Sequence, residues 1–175
     1  TGPDGQLSGR LVAADVSAAR LADLRGRTRR LGLPVEVVRL PEAFEAALEL
    51  LAATLPNGVD RVLVDAPCSS LGTLRRGPDR RWRVGPSDVA RLTWVQIRLL
   101  DLGAAVLAPG GRLVYATCTL GTEENEPVAA SFSARHPELA PAPWDRGVDP
   151  EGRRPGPVPI SAPASGGDHR PSAAS

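Results

Sequence analysis

The sequence of 175 residues lacks methionine and lysine and has only two cysteines. Because a chain without methionine does not begin at its translational start, we expect it to be a piece of a longer protein. Two cysteines are too few for a disulfide framework, so free thiols, either buried or reactive, are expected. All 21 basic residues are arginine and the net charge is only +1. Local clusters of arginine therefore matter more than the total charge.

Long apolar segments are also missing. No run of eighteen apolar residues occurs, and the first residues lack the charged and then apolar order of a signal peptide. These absences argue against a membrane protein and make a cytoplasmic location the expectation. With 42% hydrophobic and 23% charged residues, the composition fits one soluble domain that is large enough for a core.

Strand and helix patterns alternate along the chain. Strands are predicted at residues 10–14, 35–38, 59–64 and 112–116, and helices at 17–30, 41–55, 87–107 and 122–136. This alternation is typical of an α/β domain with a mostly parallel sheet. Eight of the 18 prolines fall in the last 35 residues, among Gly, Ser and Ala. We therefore expect a folded domain over residues 1–140 and a disordered tail over residues 141–175.

Acidic and thiol side chains follow three of the predicted strands. They are Asp15, Asp65 with Cys68, and Cys118. The carboxyl ends of parallel strands form the edge at which α/β enzymes build their sites, so these residues are the candidates for chemistry. A metal site is not expected, because two cysteines without nearby histidines provide too few ligands.

Each candidate has a plainer interpretation. Asp15 would also suit a cap of the following helix, together with Ser17. Either cysteine would also suit a small buried core position, which is the commoner fate of this residue type. However, Cys68 lies beyond its strand, in a loop that Pro67 stiffens and that presents two hydroxyls beside the thiol. Neither cysteine decides the matter alone.

Residues 74–83 contain five arginines and one tryptophan. Arginine contacts phosphates and tryptophan stacks on bases, which favours RNA as the partner of this loop. A solvated arginine-rich surface is an equally good interpretation of the composition alone. The residues predicted to bind RNA are Arg75, Arg76, Arg80, Arg81 and Trp82.

Four segments resemble the Nop/Sun family of RNA cytosine-5 methyltransferases, in particular its bacterial branch that modifies small-subunit ribosomal RNA. They are residues 64–76, 78–82, 109–118 and 123–126, within a matching stretch from about Arg10 to Pro137. The resemblance implies a Rossmann-like methyltransferase sheet. It also implies S-adenosylmethionine as the cofactor and ribosomal RNA as the partner, and we expect a monomer.

The resemblance implies roles for four side chains. Cys118 is the nucleophile, Cys68 assists product release, Asp65 lies at the cofactor and the base, and Asp15 binds the cofactor ribose. C5 of cytosine is a poor nucleophile, so a thiolate first adds to C6 and the resulting enamine attacks the sulfonium methyl. The base must be unpaired or flipped out. DNA cytosine-5 enzymes use the cysteine of a Pro-Cys motif, which makes Cys68 the rival nucleophile, but the Thr-Cys-Thr segment favours Cys118.

The chain also departs from the family's pattern. The glycine-rich cofactor loop and first strand of the family would lie upstream of Thr1, and Arg39 stands where an aspartate that contacts adenine is expected. Pro-, Ser- and Ala-rich sequence replaces the family's closing strands. We therefore expect an incomplete sheet that is not a competent enzyme by itself. The alternative function is a non-catalytic remnant or an RNA-binding module.

Overall fold

The computed structural model describes residues 9–73, 84–142 and 160–161. Strands and helices alternate in these residues, which confirms the predicted α/β class. The elements are β1 (Leu11–Asp15), α1 (Ala18–Arg30), β2 (Val35–Arg39), α2 (Phe44–Thr54), β3 (Val59–Asp65), α3 (Pro86–Ala105), β4 (Leu107–Ala116), α4 (Glu126–Arg135), β5 (Ala140–Pro141) and β6 (Ile160–Ser161), with 3-10 turns at Leu71–Thr73 and Thr122–Glu124. The chain divides into two compact units, residues 1–54 and residues 55–175.

The first unit contains a parallel pair of strands, β1 and β2. As predicted, Ser17 caps α1, because its side chain accepts a hydrogen bond from the Arg20 amide at 3.4 Å. Gly32 follows the end of the helix with φ +64°, a conformation that glycine adopts without steric cost. The second helix begins at Phe44 rather than at Pro41, because a bend precedes it, so that predicted boundary was wrong by three residues.

The core of the second unit lies between the β3–β4 sheet and the helices α3 and α4. Its fully buried apolar side chains include Leu100, Leu113 and Phe132. Alternate side chains of a strand point to opposite faces, so Leu113 and Tyr115 of β4 are both buried. Gly103 permits the close packing of α3, since a Cβ there would lie 2.9 Å from Leu113 Cδ1.

The strand predicted at residues 112–116 begins earlier than expected, because β4 already starts at Leu107. Val59 pairs with Leu107 and Arg61 pairs with Arg112, so four residues of β4 stand opposite one residue of β3. Gly110 has φ +77° within this irregularity. Gly110 and Gly111 therefore lie in a bulge inside the strand.

Two small sheets are present in the described part of the chain, in agreement with the expected incomplete sheet. One is β1–β2 and the other has the order β3-β4-β6-β5, in which β6 pairs antiparallel with both of its neighbours. Residues 143–159 and 162–175 of the predicted disordered tail lie outside the described residues. None of the described helices has the length and apolar character that a membrane crossing requires.

Candidate active site

Two loops that follow β3 and β4 bring the cysteines together. The strands are parallel and Asp65 pairs with Ala116, so both loops leave the sheet at the same edge. Cys68 lies three residues beyond β3, and Cys118 lies two residues beyond β4. Their Sγ atoms are 3.1 Å apart. The sequence placed both thiols at this edge, and the structure brings them into direct contact.

Ser70 contacts both thiols. Its Oγ lies 3.3 Å from Cys118 Sγ and 3.9 Å from Cys68 Sγ. The backbone of Ser70 has φ +59°, and no other non-glycine residue among those described has a positive φ. A non-glycine residue in this region costs about 1 kcal/mol. Such strain is typical of functional sites, and here it places a hydroxyl beside the two sulfurs.

The two thiols have different surroundings. Cys118 is exposed, whereas Cys68 is half-buried. Burial raises the pKa of the Cys68 thiol, and its hydrogen bond with the Cys118 side chain raises that pKa further. The Cys118 amide donates to Cys68 Sγ at 3.2 Å and lowers the pKa, but this effect is smaller. Cys68 therefore keeps its proton to a higher pH than a free cysteine does, which suits proton transfer better than nucleophilic attack.

A buried carboxylate lies behind the Cys68 loop. Glu124 is only 1% exposed, and its Oε1 accepts hydrogen bonds from the Ser69 amide and from Gln96 Nε2, both at 2.9 Å. Its Oε2 accepts from the Ser69 hydroxyl. Three donors thus satisfy the carboxylate, as a buried charge requires.

The same buried region contains the residue after Cys118. Thr119 Oγ1 lies 2.7 Å from Ser69 Oγ and accepts a hydrogen bond from the Gly121 amide at 3.0 Å. The Tyr115 hydroxyl donates to the backbone carbonyl of Glu124 at 2.7 Å. The polar contacts therefore join both cysteine loops to the turn that carries Glu124.

The sequence did not reveal three residues of this site. Gly72 approaches the Cys118 backbone, Gln96 is fully buried on α3, and Glu124 is the buried carboxylate. Glu124 was within a segment that carried the family resemblance, but no role was assigned to it. For Gln96, the available signal was a polar residue between the apolar Val95 and Ile97.

The two predicted cofactor residues have different environments. Asp65 is exposed at the end of β3, and its carboxylate makes no hydrogen bond or ion pair with another described residue. In the first unit, Asp15 Oδ1 accepts from the Ser17 amide at 2.7 Å, and its Oδ2 lies 3.1 Å from Arg20 Nη1. Asp15 thus makes the capping contacts of the plainer interpretation, and its role toward a cofactor stays a prediction.

The remaining predicted binding residues lie outside the described part of the chain. The arginine-rich loop, residues 74–83, is among them. It contains Arg75, Arg76, Arg80, Arg81 and Trp82. Within the described ranges, no group of three His, Cys, Asp or Glu residues could hold a metal ion.

Solved structures share this fold. A methyltransferase homolog protein from Pyrococcus horikoshii is 33% identical with a TM-score of 0.59, over 80% of this chain and 41% of that one. NSun6 from Pyrococcus horikoshii, whose structure was determined with SFG, is 24% identical with a TM-score of 0.64, over 89% of this chain and 41% of that one. These similarities show that the chain has the Rossmann-like α/β fold of the methyltransferase homolog protein.

Sequence comparison defines the family. The model of the family described as 16S rRNA methyltransferase RsmB/F matches residues 5–152, so the chain belongs to that family. The ribosomal RNA small subunit methyltransferase B of Sodalis glossinidius is 38% identical over 133 residues, which cover 74% of this chain and 29% of that protein. The enzyme of the same name from Thermus thermophilus is 38% identical over 76% of this chain and 31% of its own length. The chain thus spans less than a third of these relatives, and the family resemblance in the sequence is confirmed.

Proposed function

We propose that this chain carries the two catalytic cysteines of an RNA cytosine-5 methyltransferase that acts on small-subunit ribosomal RNA. The observation that carries the proposal is the 3.1 Å contact between Cys68 Sγ and Cys118 Sγ, two thiols with unequal environments. Membership of a 16S rRNA methyltransferase family supports the reaction class and the cytoplasmic setting. The choice of C5 of cytosine rests on the chemistry that paired thiols can perform.

Cys118 is the nucleophile in this proposal. Its exposed sulfur can reach an unpaired base, and its thiolate adds to C6 so that C5 becomes an enamine carbon. S-adenosylmethionine, when bound, supplies an electrophilic methyl group on a sulfonium centre. After methyl transfer, the C5 proton passes to solvent water and its C–H electron pair re-forms the C5–C6 double bond. The C6–S bond breaks in this step, and its electron pair returns to Cys118 as a thiolate.

Cys68 donates a proton to the departing Cys118 sulfur in this proposal. It lies within hydrogen-bond distance of Cys118, and its raised pKa keeps it protonated when Cys118 attacks. A protonated Cys68 can donate to the Cys118 thiolate, which assists its departure from C6. The exposure of one thiol and the partial burial of the other support this division of roles.

Asp65 is the described residue best placed to bind the cofactor or the base. Its carboxylate, at the carboxyl end of β3, has no hydrogen-bond partner among the described residues and can accept hydrogen bonds from an exocyclic amine or from a hydroxyl. Asp15 is proposed to bind the cofactor ribose, although its carboxylate already bonds Ser17 and Arg20. Replacement of either aspartate by asparagine should weaken binding of labelled S-adenosylmethionine to the whole protein.

The arginine loop is proposed to bind RNA phosphates. Replacement of Arg80 and Arg81 by alanine should weaken RNA binding. It should also reduce the slope of log affinity against log salt concentration by about two, because about two fewer counterions are released. An unchanged slope would count against phosphate contacts. Replacement of Arg29 and Arg30 on α1 provides a control with the same loss of charge.

Substitution of each cysteine in the whole protein tests the division of roles. We expect Cys118→Ser to abolish both methyl transfer and covalent attachment to RNA. Cys68→Ser should still attach to RNA but release it slowly, so that a protein–RNA adduct accumulates. The opposite pattern would assign the nucleophile to Cys68. Failure of the whole protein to bind labelled S-adenosylmethionine would favour the non-catalytic RNA-binding alternative.

A further inference from the structure

We propose that the buried carboxylate of Glu124 is a positioning residue that holds the two cysteine loops in register, through Ser69 on one loop and Thr119 on the other. Ser69 directly follows Cys68, and Thr119 directly follows Cys118. The catalytic consequence of this role rests on the proposed function. The geometric consequence, a fixed contact between the thiols, does not.

The hydrogen bonds between the loops have one direction. A carboxylate only accepts hydrogen bonds, so the single proton of the Ser69 hydroxyl is given to Glu124 Oε2. In the 2.7 Å hydrogen bond between Ser69 and Thr119, the Thr119 hydroxyl is therefore the donor and the Ser69 hydroxyl oxygen is the acceptor. Thr119 in turn accepts from the Gly121 amide at 3.0 Å. The donors thus form a chain that points toward the carboxylate, and each bond polarises the next.

The other carboxylate oxygen fixes the Cys68 loop on both sides of the thiol. Glu124 Oε1 accepts from the Ser69 amide, directly after Cys68. It also accepts from Gln96 Nε2, which donates to the carbonyl of Pro67, directly before Cys68, at 2.9 Å. One buried charge therefore organises the residues on either side of Cys68 as well as the contact with Thr119.

A graded series of substitutions separates this role from simple burial. Glu124→Ala removes both carboxylate oxygens, which accept the hydrogen bonds from Ser69 and Gln96. Glu124→Gln keeps one oxygen that accepts from the Ser69 amide and from Gln96. Its side-chain amide can donate to the Ser69 hydroxyl, which reverses the direction of that hydrogen bond but preserves the contact. Glu123→Ala is the matched control, because Glu123 lies on the same turn with an exposed side chain.

The equilibrium between the two thiols and a disulfide measures their alignment. In a glutathione buffer, oxidation joins Cys68 Sγ to Cys118 Sγ, and one glutathione disulfide accepts the two electrons to become two glutathione thiols. The more persistently the folded loops hold the sulfurs in contact, the larger the equilibrium constant. The measurement uses the full chain and requires neither RNA nor a methyl donor.

We expect Glu124→Ala to lower that constant at least about tenfold, since hydrogen bonds to a buried charge are worth that factor or more. Glu124→Gln should stay within about threefold of the wild type and Glu123→Ala should match it, since their contacts persist. Thermal unfolding followed by circular dichroism identifies the variants that fold. If Glu124→Ala does not fold, Ser69→Ala removes only the hydroxyl link and carries the same expectation.

An unchanged disulfide constant in a folded Glu124→Ala or Ser69→Ala variant overturns the positioning role, whatever the activity of the enzyme. A lower disulfide constant in these variants supports the positioning role of Glu124 even if the whole protein proves not to methylate RNA. If the wild type is active, Glu124→Ala should reduce kcat with little change in the KM for RNA, and Glu124→Gln should restore most of kcat. The two proposals can therefore fail separately.

Discussion

The amide of Gly72 donates a hydrogen bond to the carbonyl oxygen of Cys118 at 3.2 Å. A Cβ on Gly72 would lie 2.7 Å from that oxygen, closer than a side chain can approach. The loop after β3 thus passes directly against the backbone of the exposed cysteine, and only glycine fits at the point of contact.

Replacement of Gly72 by alanine should therefore displace the Cys118 loop. We expect a destabilisation of about 1–3 kcal/mol, typical of an added methyl group in a packed region. Gly26→Ala is the control, because nothing lies within 4 Å of a Cβ at that helical position. It should be neutral or stabilise α1 by up to about 1 kcal/mol. Urea unfolding followed by circular dichroism measures both, and equal effects would contradict the proposed clash.

The two cysteines should differ in reactivity. Cys118 is exposed, while burial raises the pKa of Cys68 and limits access to it. At mildly alkaline pH we expect iodoacetamide to modify Cys118 at least about tenfold faster than Cys68. Timed alkylation with peptide mass spectrometry measures the two rates, and the chain unfolded in urea provides the reference in which they converge. Faster modification of Cys68 would contradict the finding that Cys118 is the exposed thiol and Cys68 the half-buried one.

Tyr115 should make the stability depend on pH in the alkaline range. Burial, the Glu124 carboxylate and Cys68 together raise the pKa of Tyr115 far above its ordinary value. Above about pH 10 the unfolded chain loses this phenolic proton while the folded chain keeps it, so the free energy of unfolding falls by up to about 1.4 kcal/mol per pH unit. Below that pH both states are protonated and the full stability is present.

The chain has a single tyrosine, so its near-ultraviolet phenolate absorbance reports Tyr115 alone. Absorbance should appear near the ordinary pKa in the unfolded chain and only at higher pH in the folded one. Tyr115→Phe should remove this contribution to the alkaline slope. At neutral pH it should cost about 1 kcal/mol through loss of the hydrogen bond to the Glu124 carbonyl. A phenolate that forms near pH 10 without unfolding would contradict the burial of this hydroxyl.

Gln96→Leu should destabilise the second unit although it makes α3 more apolar. The substitution removes the donors to the Pro67 carbonyl and to Glu124, and leaves the carboxylate underbonded. We expect a cost of about 1–3 kcal/mol in thermal or urea unfolding. Arg91→Ala on the exposed side of the same helix should cost no more than about 0.5 kcal/mol. A neutral Gln96→Leu variant would show that Glu124 does not depend on this amide.

The sequence predicted the elements that follow local rules. Ser17 and Gly32 mark the two ends of α1 because capping chemistry is local, and the thiols meet because parallel strands end at one edge. The bulge around Gly110 was missed, since glycine suits a turn and a bulge equally well. The left-handed backbone of Ser70 could not be predicted either, because this residue packs against Cys118, which is 48 positions away in the sequence.

The buried carboxylate shows a second limit of sequence reasoning. Glu123 and Glu124 are neighbours of the same type, yet one is exposed and the other is almost completely buried. Charged residues are seldom buried, so their type alone predicts exposure for both. Only the tertiary contact with Ser69 and Gln96 distinguishes them.

The parallel pairing of β3 and β4 also determines when the site comes into existence. Cys68 and Cys118 are 50 positions apart, and a parallel connection must return along α3 before the second loop can reach the first. A nascent chain that has emerged from the ribosome only as far as the loop after β3 therefore carries Cys68 without its partner thiol. The contact between the two thiols forms only when the β3–α3–β4 unit is assembled, so it arises with the tertiary structure and not before.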